Sequence, residues 1–377
     1  MFNRLYIHVP FCVKKCHYCA FVSSTPLANE LIEYPSLLIR ELQHSAPVAR
    51  QISSIYFGGG TPSLLQPHQL TRLLEEISDQ TDISADAEIT LEANPGTIDQ
   101  STLKAFRDSG INRISLGIQS FDNSFLDSLG RIHTAEQSLL AFQDARKAGF
   151  DTISIDLIHS LPGQSLKQWQ TELQHAARLC PEHISIYGLT VEEGTAFARI
   201  YPANSSELVD DDLSADMFEL ADRLLTEAGF EHYEIANYAR PGYRSQHNSG
   251  YWRRDGYLGL GVAAHSFFRE GHGVRFSNPA TLEDYRTAVT SGRPTRIDEQ
   301  VLTQQDAMEE HLFLGLRLSD GVSLNAFERE FGRSLESVYG PVVADLSRLG
   351  LLYESGNVLA LTQRGMLLSN QVFARFL

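Results

Sequence analysis

Six short apolar segments alternate with segments of helical periodicity in the first half of the sequence, and this alternation constrains the fold more than any other feature. Each apolar segment is rich in Ile, Leu, Val or Tyr and is bounded by Gly, Pro or polar residues, as buried parallel strands are. The predicted strands cover residues 5–11, 55–57, 89–91, 114–118, 153–158 and 184–189. The predicted helices between them include residues 70–77, 102–109, 135–147 and 169–179. Six strand–helix units indicate an α/β domain, either an open sheet or a partial (β/α)6 barrel, since a closed barrel has eight units.

The rest of the chain has a different pattern. Residues 210–229 predict one more helix, and residues 231–268 are rich in Tyr, Gly and His with short strand-like pieces. Beyond residue 304 the pattern is helical, and residues 346–361 predict a helix, a turn and a strand pair, which is typical of a winged helix. The sequence therefore predicts three units: the α/β domain at 1–200, a sheet extension at 201–300, and a C-terminal winged-helix-like helical domain at 301–377.

The charge of the chain limits its partners. The formal net charge is −16, from 31 Lys and Arg against 47 Asp and Glu, which disfavours binding to nucleic acid or to anionic lipid. Residues 301–377 hold six Arg and no Lys against nine acidic residues, so we expect the winged-helix-like unit to be structural or to contact protein, not DNA. No stretch has the 18 or so apolar residues of a membrane span, and the N-terminus lacks the pattern of a signal peptide. The expected location is the cytoplasm, with reduced cysteines.

Cys12, Cys16 and Cys19 form a C-x3-C-x2-C loop directly after the first predicted strand. Three thiolates in one short loop can hold a single metal centre. A [4Fe–4S] cubane normally takes four thiolates, so three leave one iron open to an outside ligand. A structural zinc site would need a fourth protein ligand, and zinc or metal-free cysteines remain alternatives at this point. The candidate fourth ligands are His8, His17 and the distant Cys180.

The cysteine loop, together with the GGGTP sequence at residues 58–62, resembles the radical S-adenosylmethionine (SAM) superfamily. In that superfamily the open iron binds the amino and carboxylate groups of SAM, and an electron from the cluster cleaves a carbon–sulfur bond. Further landmarks resemble the coproporphyrinogen dehydrogenase-like branch and occur in its order. They are LYIHVPFC at 5–12, EANP at 92–95, GIQSF at 117–121, LGR at 129–131 and DLIHSLPG at 156–163, where His159-Ser160 departs from the usual aromatic–glycine pair.

The resemblance implies a partial (β/α)6 radical SAM barrel and a set of SAM-binding residues. They are Tyr6, Tyr18, Gly59, Gly60, Thr61, Glu92, Gln119, Arg131, Asp156 and Ile158. The residue types agree with this assignment, because most lie near the carboxyl ends of predicted strands, where α/β proteins bind ligands. Glu92 and Asp156 suit an ammonium group or ribose hydroxyls, and Arg131 suits a carboxylate.

The branch contains an enzyme and a haem chaperone family, and three features favour the chaperone. The enzyme's cluster loop has one more cysteine, at the place where this sequence has Phe21. The enzyme also has a sizeable N-terminal extension, which we expect to be missing here because Cys12 lies so near the start. The sequence HNSGYW at 247–252 resembles the HNxxYW motif of the HemW family. That resemblance implies binding of haem and its transfer to apo-haemoproteins, such as respiratory enzymes.

The same resemblance implies which residues contact haem. His is a common axial ligand of haem iron, and Tyr and Trp offer flat apolar faces to a porphyrin. The predicted contacts are His247, Tyr251 and Trp252, with Arg253 and Arg254 for the propionates, His265 as a second candidate ligand, and His232 and His272 as weaker ones. No catalytic residue is assigned, and we expect membrane contact only through protein partners. The alternative function is oxygen-independent coproporphyrinogen III dehydrogenase, which decarboxylates two propionates of a tetrapyrrole.

Overall fold

The computed structural model describes residues 2–45, 49–202 and 205–377. Its first part is a run of six parallel strands, each followed by a helix or helices, and the strands pair in chain order. The elements are β1 (Phe2–Val9), α1 (Ala28–His44), β2 (Ala49–Gly59), α2 (Pro67–Gln80), β3 (Ile83–Ala93), α3 (Gln100–Asp108), β4 (Arg113–Gln119), α4 (Asn123–Leu129), α5 (Ala135–Lys147), β5 (Thr152–His159), α6 (Leu166–Leu179) and β6 (His183–Gly188). The predicted α/β class is confirmed.

The two faces of these strands differ in polarity. Residues such as Ile55, Phe57 and Leu91 pack against the surrounding helices and are inaccessible to solvent. Burying each such side chain stabilises the fold by about 1.5–3 kcal/mol. The alternate residues face the barrel interior and many are polar, among them Ser54 and Glu88, because successive side chains point to opposite faces of a strand. The observed β2 and β3 are longer than predicted, since the apolar segments stop where these buried polar residues begin.

The next elements lengthen the sheet at both of its edges. They are α7 (Ala196–Ile200), α8 (Asp211–Glu227), β7 (Glu231–Glu234), β8 (Asn237–Ala239), α9 (Gln246–Trp252), β9 (Tyr257–Leu260), β10 (His265–Phe268), β11 (Val274–Ser277), α10 (Leu282–Thr290) and β12 (Ile297–Val301). β8 pairs antiparallel with β6, whereas β9 pairs parallel with β1 at the opposite edge. The described residues thus form a twelve-stranded sheet in the order β12-β11-β10-β9-β1-β2-β3-β4-β5-β6-β8-β7. The barrel is open, and the predicted sheet extension is present.

The C-terminal elements form a second hydrophobic core that includes Leu312, Phe327 and Val372. They are α11 (Gln304–Gly315), β13 (Val322–Ser323), α12 (Leu324–Phe331), α13 (Leu335–Arg348), β14 (Leu352–Ser355), β15 (Val358–Leu361), α14 (Gln363–Leu367) and α15 (Ser369–Phe373). The helix pair followed by the hairpin of β14 and β15 is the predicted winged-helix arrangement, with β13 completing a three-stranded antiparallel sheet. Within the described ranges, no helix is long and apolar enough to cross a membrane.

Candidate radical SAM site and haem motif

The carboxyl ends of the barrel strands open into a cavity of about 320 Å³, within the usual size range of small-molecule sites. The structure brings twelve of the thirteen predicted cluster and SAM residues into its wall. They are Cys12, Cys16, Tyr18, Cys19, Gly59, Gly60, Thr61, Glu92, Gln119, Arg131, Asp156 and Ile158. Tyr6 is the exception: it lies below the wall, where its hydroxyl is 3.1 Å from Nδ1 of His8 and its ring stacks with that of Tyr56.

The cavity wall also contains residues that the sequence analysis did not predict, and four of them are polar side chains beside the predicted set. Lys14 and Lys15 flank the cysteines, and Ser115 and Tyr187 lie on β4 and β6. The period of two along each strand could have found Ser115, since it stands two residues before Gly117 on the inward face of β4. The two lysines carry no pattern that distinguishes them from ordinary surface residues.

The cysteine loop is fixed by backbone hydrogen bonds. The N–H of Cys12 donates to the carbonyl of Ser24 at 2.9 Å, and the N–H of Ser24 donates back to Pro10 at 2.8 Å. Arg131 Nη1 lies 3.4 Å from Sγ of Cys16, and Thr61 Oγ1 lies 3.6 Å from Sγ of Cys12. Donors at these positions stabilise thiolates, which are the ligand form of cysteine. The loop therefore offers three cysteine ligands for an iron–sulfur cluster, with hydrogen-bond donors beside two of them.

The residues considered as a fourth zinc ligand differ in what they contact. His8 Nε2 lies 3.0 Å from the carbonyl of Val22, and His17 Nδ1 lies 2.9 Å from that of Ser128. Cys180 is exposed and ends α6. Across the part of the chain that the structure describes, no three His, Cys, Asp or Glu side chains are grouped to hold one metal ion. A cubane, in which each thiolate binds its own iron, does not require such convergence.

Two partly buried carboxylates, Glu92 and Asp156, line the cavity. Glu92 accepts hydrogen bonds from the Tyr56 hydroxyl at 2.7 Å and from the Gly59 N–H at 3.2 Å. Burial raises the pKa of Glu92 to about 7, and burial likewise raises the pKa of Asp156 to about 6. A cationic group or hydroxyl donors from a ligand would favour their ionised forms.

Arg131 offers the complementary charge. Its Nη2 donates to the carbonyl of Gly117 at 2.7 Å. Its Nε is buried and, among the described residues, has no hydrogen-bond partner. A buried N–H without an acceptor costs free energy, so a ligand carboxylate would be bound favourably at this position. The two carboxylates and this arginine therefore fit a zwitterionic ligand such as SAM.

The glycine turn brings backbone to the cavity wall. Gly59 has a φ of 114°, which side chains disfavour. A Cβ on Gly60 would lie 2.6 Å from the carbonyl oxygen of Phe11, closer than real contacts allow. At the end of β4, Gln119 has a φ of 70°, an uncommon conformation of the kind that concentrates at functional sites.

The HNSGYW segment forms most of α9, which lies against the inward face of the barrel strands. His247 is fully buried, with Nδ1 2.9 Å from the Ser54 hydroxyl and Nε2 2.8 Å from the Tyr251 hydroxyl. Burial lowers the pKa of His247 to about 3, so the imidazole is neutral. With both ring nitrogens hydrogen-bonded and the ring inaccessible, His247 is not open to a haem iron in this conformation.

Buried charges hold α9 in place. The Glu88 carboxylate accepts from the backbone N–H groups of Gln246 and His247 at 3.0 and 2.9 Å. Arg4 donates to the carbonyl of Gln246 at 2.9 Å and to Asp255 at 2.7 Å. A Cβ at Gly250 would overlap the Arg4 side chain, so glycine is required for this close approach.

The other predicted haem contacts are divided between surface and interior. Tyr251 and Trp252 line a second cavity of about 230 Å³ between the extension and the C-terminal domain. Arg254 lines the same cavity, but it is buried and already paired with Glu310 and Glu330, each at 3.2 Å.

Arg253 is exposed and lies 3.8 Å from Asp320. His265, on β10, and His272 are both exposed. His232 is hydrogen-bonded to Asp222 at 2.8 Å and to the carbonyl of Ile235 at 3.2 Å. Of the predicted histidines, His265 and His272 are therefore the ones that an outside ligand reaches directly.

Fold and cavity together define a radical SAM protein. Residues 6–176 match the Radical SAM superfamily model, and residues 302–368 match the HemN C-terminal domain. The solved structure of coproporphyrinogen III oxidase (HemN) from Escherichia coli superposes with a TM-score of 0.86 at 24% identity, covering 100% of this chain and 90% of that one, which shows the fold. The chain is also 37% identical to heme chaperone HemW of Lactococcus lactis over 100% of this chain and 97% of the relative. It is 36% identical to heme chaperone HemW of Bacillus subtilis, over 99% and 98% of the two chains. The chain belongs to the HemW family.

Proposed function

We propose that this protein is a haem chaperone that binds haem and transfers it to apo-haemoproteins, including respiratory enzymes, in the cytoplasm. The observation that carries the proposal is the near-complete coverage of relatives named heme chaperones, at 36–37% identity. The presence of Phe21 where the related enzyme has an additional cysteine supports the same choice. We also propose that the chain divides into functional units at residues 1–200, 201–300 and 301–377.

In this proposal the barrel holds a [4Fe–4S] cluster and SAM. Cys12, Cys16 and Cys19 ligate the cluster, which supplies an electron and an open iron for SAM. Arg131 would pair with the carboxylate of SAM through its guanidinium, and the backbone at Gly59 and Gly60 would meet the amino group. The remaining proposed contacts are Tyr6, Tyr18, Thr61, Glu92, Gln119, Asp156 and Ile158, with Tyr6 acting from below the wall.

Haem is proposed to bind at the extension, beside Tyr251 and Trp252. The extension offers two candidate ligands that differ in accessibility. His265 is already exposed, whereas His247 ligates iron only after α9 leaves its buried position. Breaking the hydrogen bonds of His247 would cost free energy, which makes ligation by His247 less favourable by that amount, whereas ligation by His265 carries no such cost.

Haem titration of the anaerobically reconstituted protein tests this assignment. The absorbance spectrum is recorded for the wild type, His247→Ala, His265→Ala and His272→Ala, with His68→Ala, which removes an exposed histidine of α2, as the control. Stoichiometric uptake that one of the first three variants weakens, and His68→Ala does not, supports haem binding and identifies the ligand. Absence of stoichiometric uptake, together with SAM-dependent decarboxylation of coproporphyrinogen, would replace the chaperone with the enzyme. Zinc without iron or sulfide would overturn the cluster assignment.

A further inference from the structure

The contacts of α9 lead directly to the SAM cavity. The His247 ring stacks on the ring of Tyr56, with centroids 5.0 Å apart and an interplanar angle of 27°. The Tyr56 hydroxyl donates to Oε1 of Glu92 at 2.7 Å, and Oε2 of the same carboxylate accepts from the glycine turn. Two consecutive contacts, His247 with Tyr56 and Tyr56 with Glu92, therefore connect the HNSGYW segment to a wall residue of the cavity.

A second connection runs through a small polar cavity of about 30 Å³. Glu92 and Asp156 line it on the side of the SAM cavity, and Ser245 and Asn248 line it on the side of α9. The two carboxylates thus belong to both spaces. The segment that begins α9 forms part of the floor beneath the SAM cavity, and it is attached to the sheet by the Glu88 and Arg4 hydrogen bonds described above.

We propose that Tyr56 and His247 are positioning residues for the SAM cavity: His247 fixes the Tyr56 ring, and Tyr56 fixes the Glu92 carboxylate. The HNSGYW segment and the SAM cavity are then coupled, so that displacement of α9 alters the affinity for SAM. This inference rests on the proposed role of Glu92 in binding SAM.

The chemistry at Glu92 explains why the Tyr56 hydroxyl matters. A buried carboxylate prefers to be neutral, and the hydrogen bond from Tyr56 opposes this by lowering the pKa of Glu92. Tyr56→Phe removes that donor and leaves the carboxylate held by the weaker hydrogen bond from the Gly59 N–H, at 3.2 Å. We expect the affinity for SAM to fall about tenfold, which corresponds to about 1.4 kcal/mol and to the loss of one hydrogen bond to a charged group.

Isothermal titration of SAM into the anaerobically reconstituted protein, with iron content measured on every sample, tests the proposal. Tyr56→Phe and His247→Ala should each weaken binding, and the double variant should be no weaker than Tyr56→Phe alone, because His247 acts through Tyr56. His247→Phe keeps an aromatic face on Tyr56 while losing both hydrogen bonds, so it should restore most of the affinity. Ser249→Ala, a buried residue of the same helix outside the chain of contacts, is the matched control and should bind like the wild type.

The positioning role of Tyr56 and His247 and the binding of SAM by Glu92 predict different outcomes. If Glu92→Gln binds SAM normally, the assignment of Glu92 is wrong, and the inference falls with it. If Glu92→Gln weakens SAM binding while Tyr56→Phe and His247→Ala do not, Glu92 remains a SAM-binding residue and the positioning role of Tyr56 and His247 is overturned. Additive losses in the double variant, or failure of His247→Phe to restore binding while thermal unfolding shows it folded, would also overturn that role.

Discussion

Arg254 provides a quantitative test of how the extension is joined to the C-terminal domain. Its guanidinium is 3% exposed and donates to Glu310 and Glu330, which belong to α11 and α12, each at 3.2 Å. It also donates to the carbonyl of His272 at 2.9 Å. We predict that Arg254→Met lowers the free energy of unfolding, because it removes the cation shared by these two acidic side chains.

The size of the effect follows from the charges that remain. Removing one partner of a buried ion pair costs about 3–5 kcal/mol when the other charge is left uncompensated. Here Arg275 stays 2.7 Å from Glu310, and Arg269 stays 2.8 Å from Glu330. Both carboxylates therefore keep a cation, and we expect a loss of about 2–3 kcal/mol, close to that of one or two charged hydrogen bonds.

Urea unfolding followed by tryptophan fluorescence measures this loss, since Trp252 lies between the two units. The adjacent Arg253→Met is the matched control: Arg253 is exposed, 3.8 Å from Asp320, and its loss should change the free energy of unfolding by no more than about 0.5 kcal/mol. Unchanged stability of Arg254→Met would refute the structural role of Arg254.

Three further predictions follow from the cavity and the core. Cys16→Ala should lose iron and acid-labile sulfide in equal proportion while remaining folded by circular dichroism; full retention of both would exclude Cys16 as a ligand. Gly60→Ala should weaken SAM binding by at least about tenfold, because its Cβ would collide with the backbone of Phe11, and normal binding by calorimetry would contradict that geometry. Burial raises the pKa of Glu41 to about 7 from 4.5, so the folded state retains a proton that the unfolded state releases in this pH range. The stability contributed by this protonation is present below about pH 4.5 and is lost as pH rises through 7. The free energy of unfolding of the wild type, relative to that of Glu41→Gln, should therefore fall by up to about 3 kcal/mol between those pH values. A difference in unfolding free energy between the two proteins that stays constant with pH, measured by chemical denaturation, would contradict this prediction.

Much of the barrel and its cavity could be predicted because the relevant signals are local. The apolar segment before Cys12 and the spacing of the three cysteines place the loop at the end of a strand. Parallel strands bring their carboxyl ends to one edge, which explains why Glu92 and Asp156, far apart in sequence, face each other across one cavity. The C-terminal wing was likewise predictable from a helix followed by a turn and a strand pair.

The surroundings of the haem motif were not predictable, because they depend on tertiary contacts. Nothing near His247 in the sequence indicates that Ser54 lies within hydrogen-bond distance or that Tyr56 stacks on its ring. Arg254 resembled an available cation until its partners in the C-terminal domain, more than fifty residues away, were known. The polar residues on the inward face of β2 also made that strand appear shorter than it is.

The most direct test of the account is haem transfer itself. Anaerobically reconstituted protein loaded with haem is mixed with the apo-form of a respiratory haemoprotein, and the recipient's absorbance spectrum is followed against the same haem supplied by albumin. The account predicts that this protein fills the recipient faster than albumin does, without decarboxylation of added coproporphyrinogen. Transfer no faster than from albumin, accompanied by SAM-dependent decarboxylation, would contradict the chaperone function and identify the protein as the enzyme.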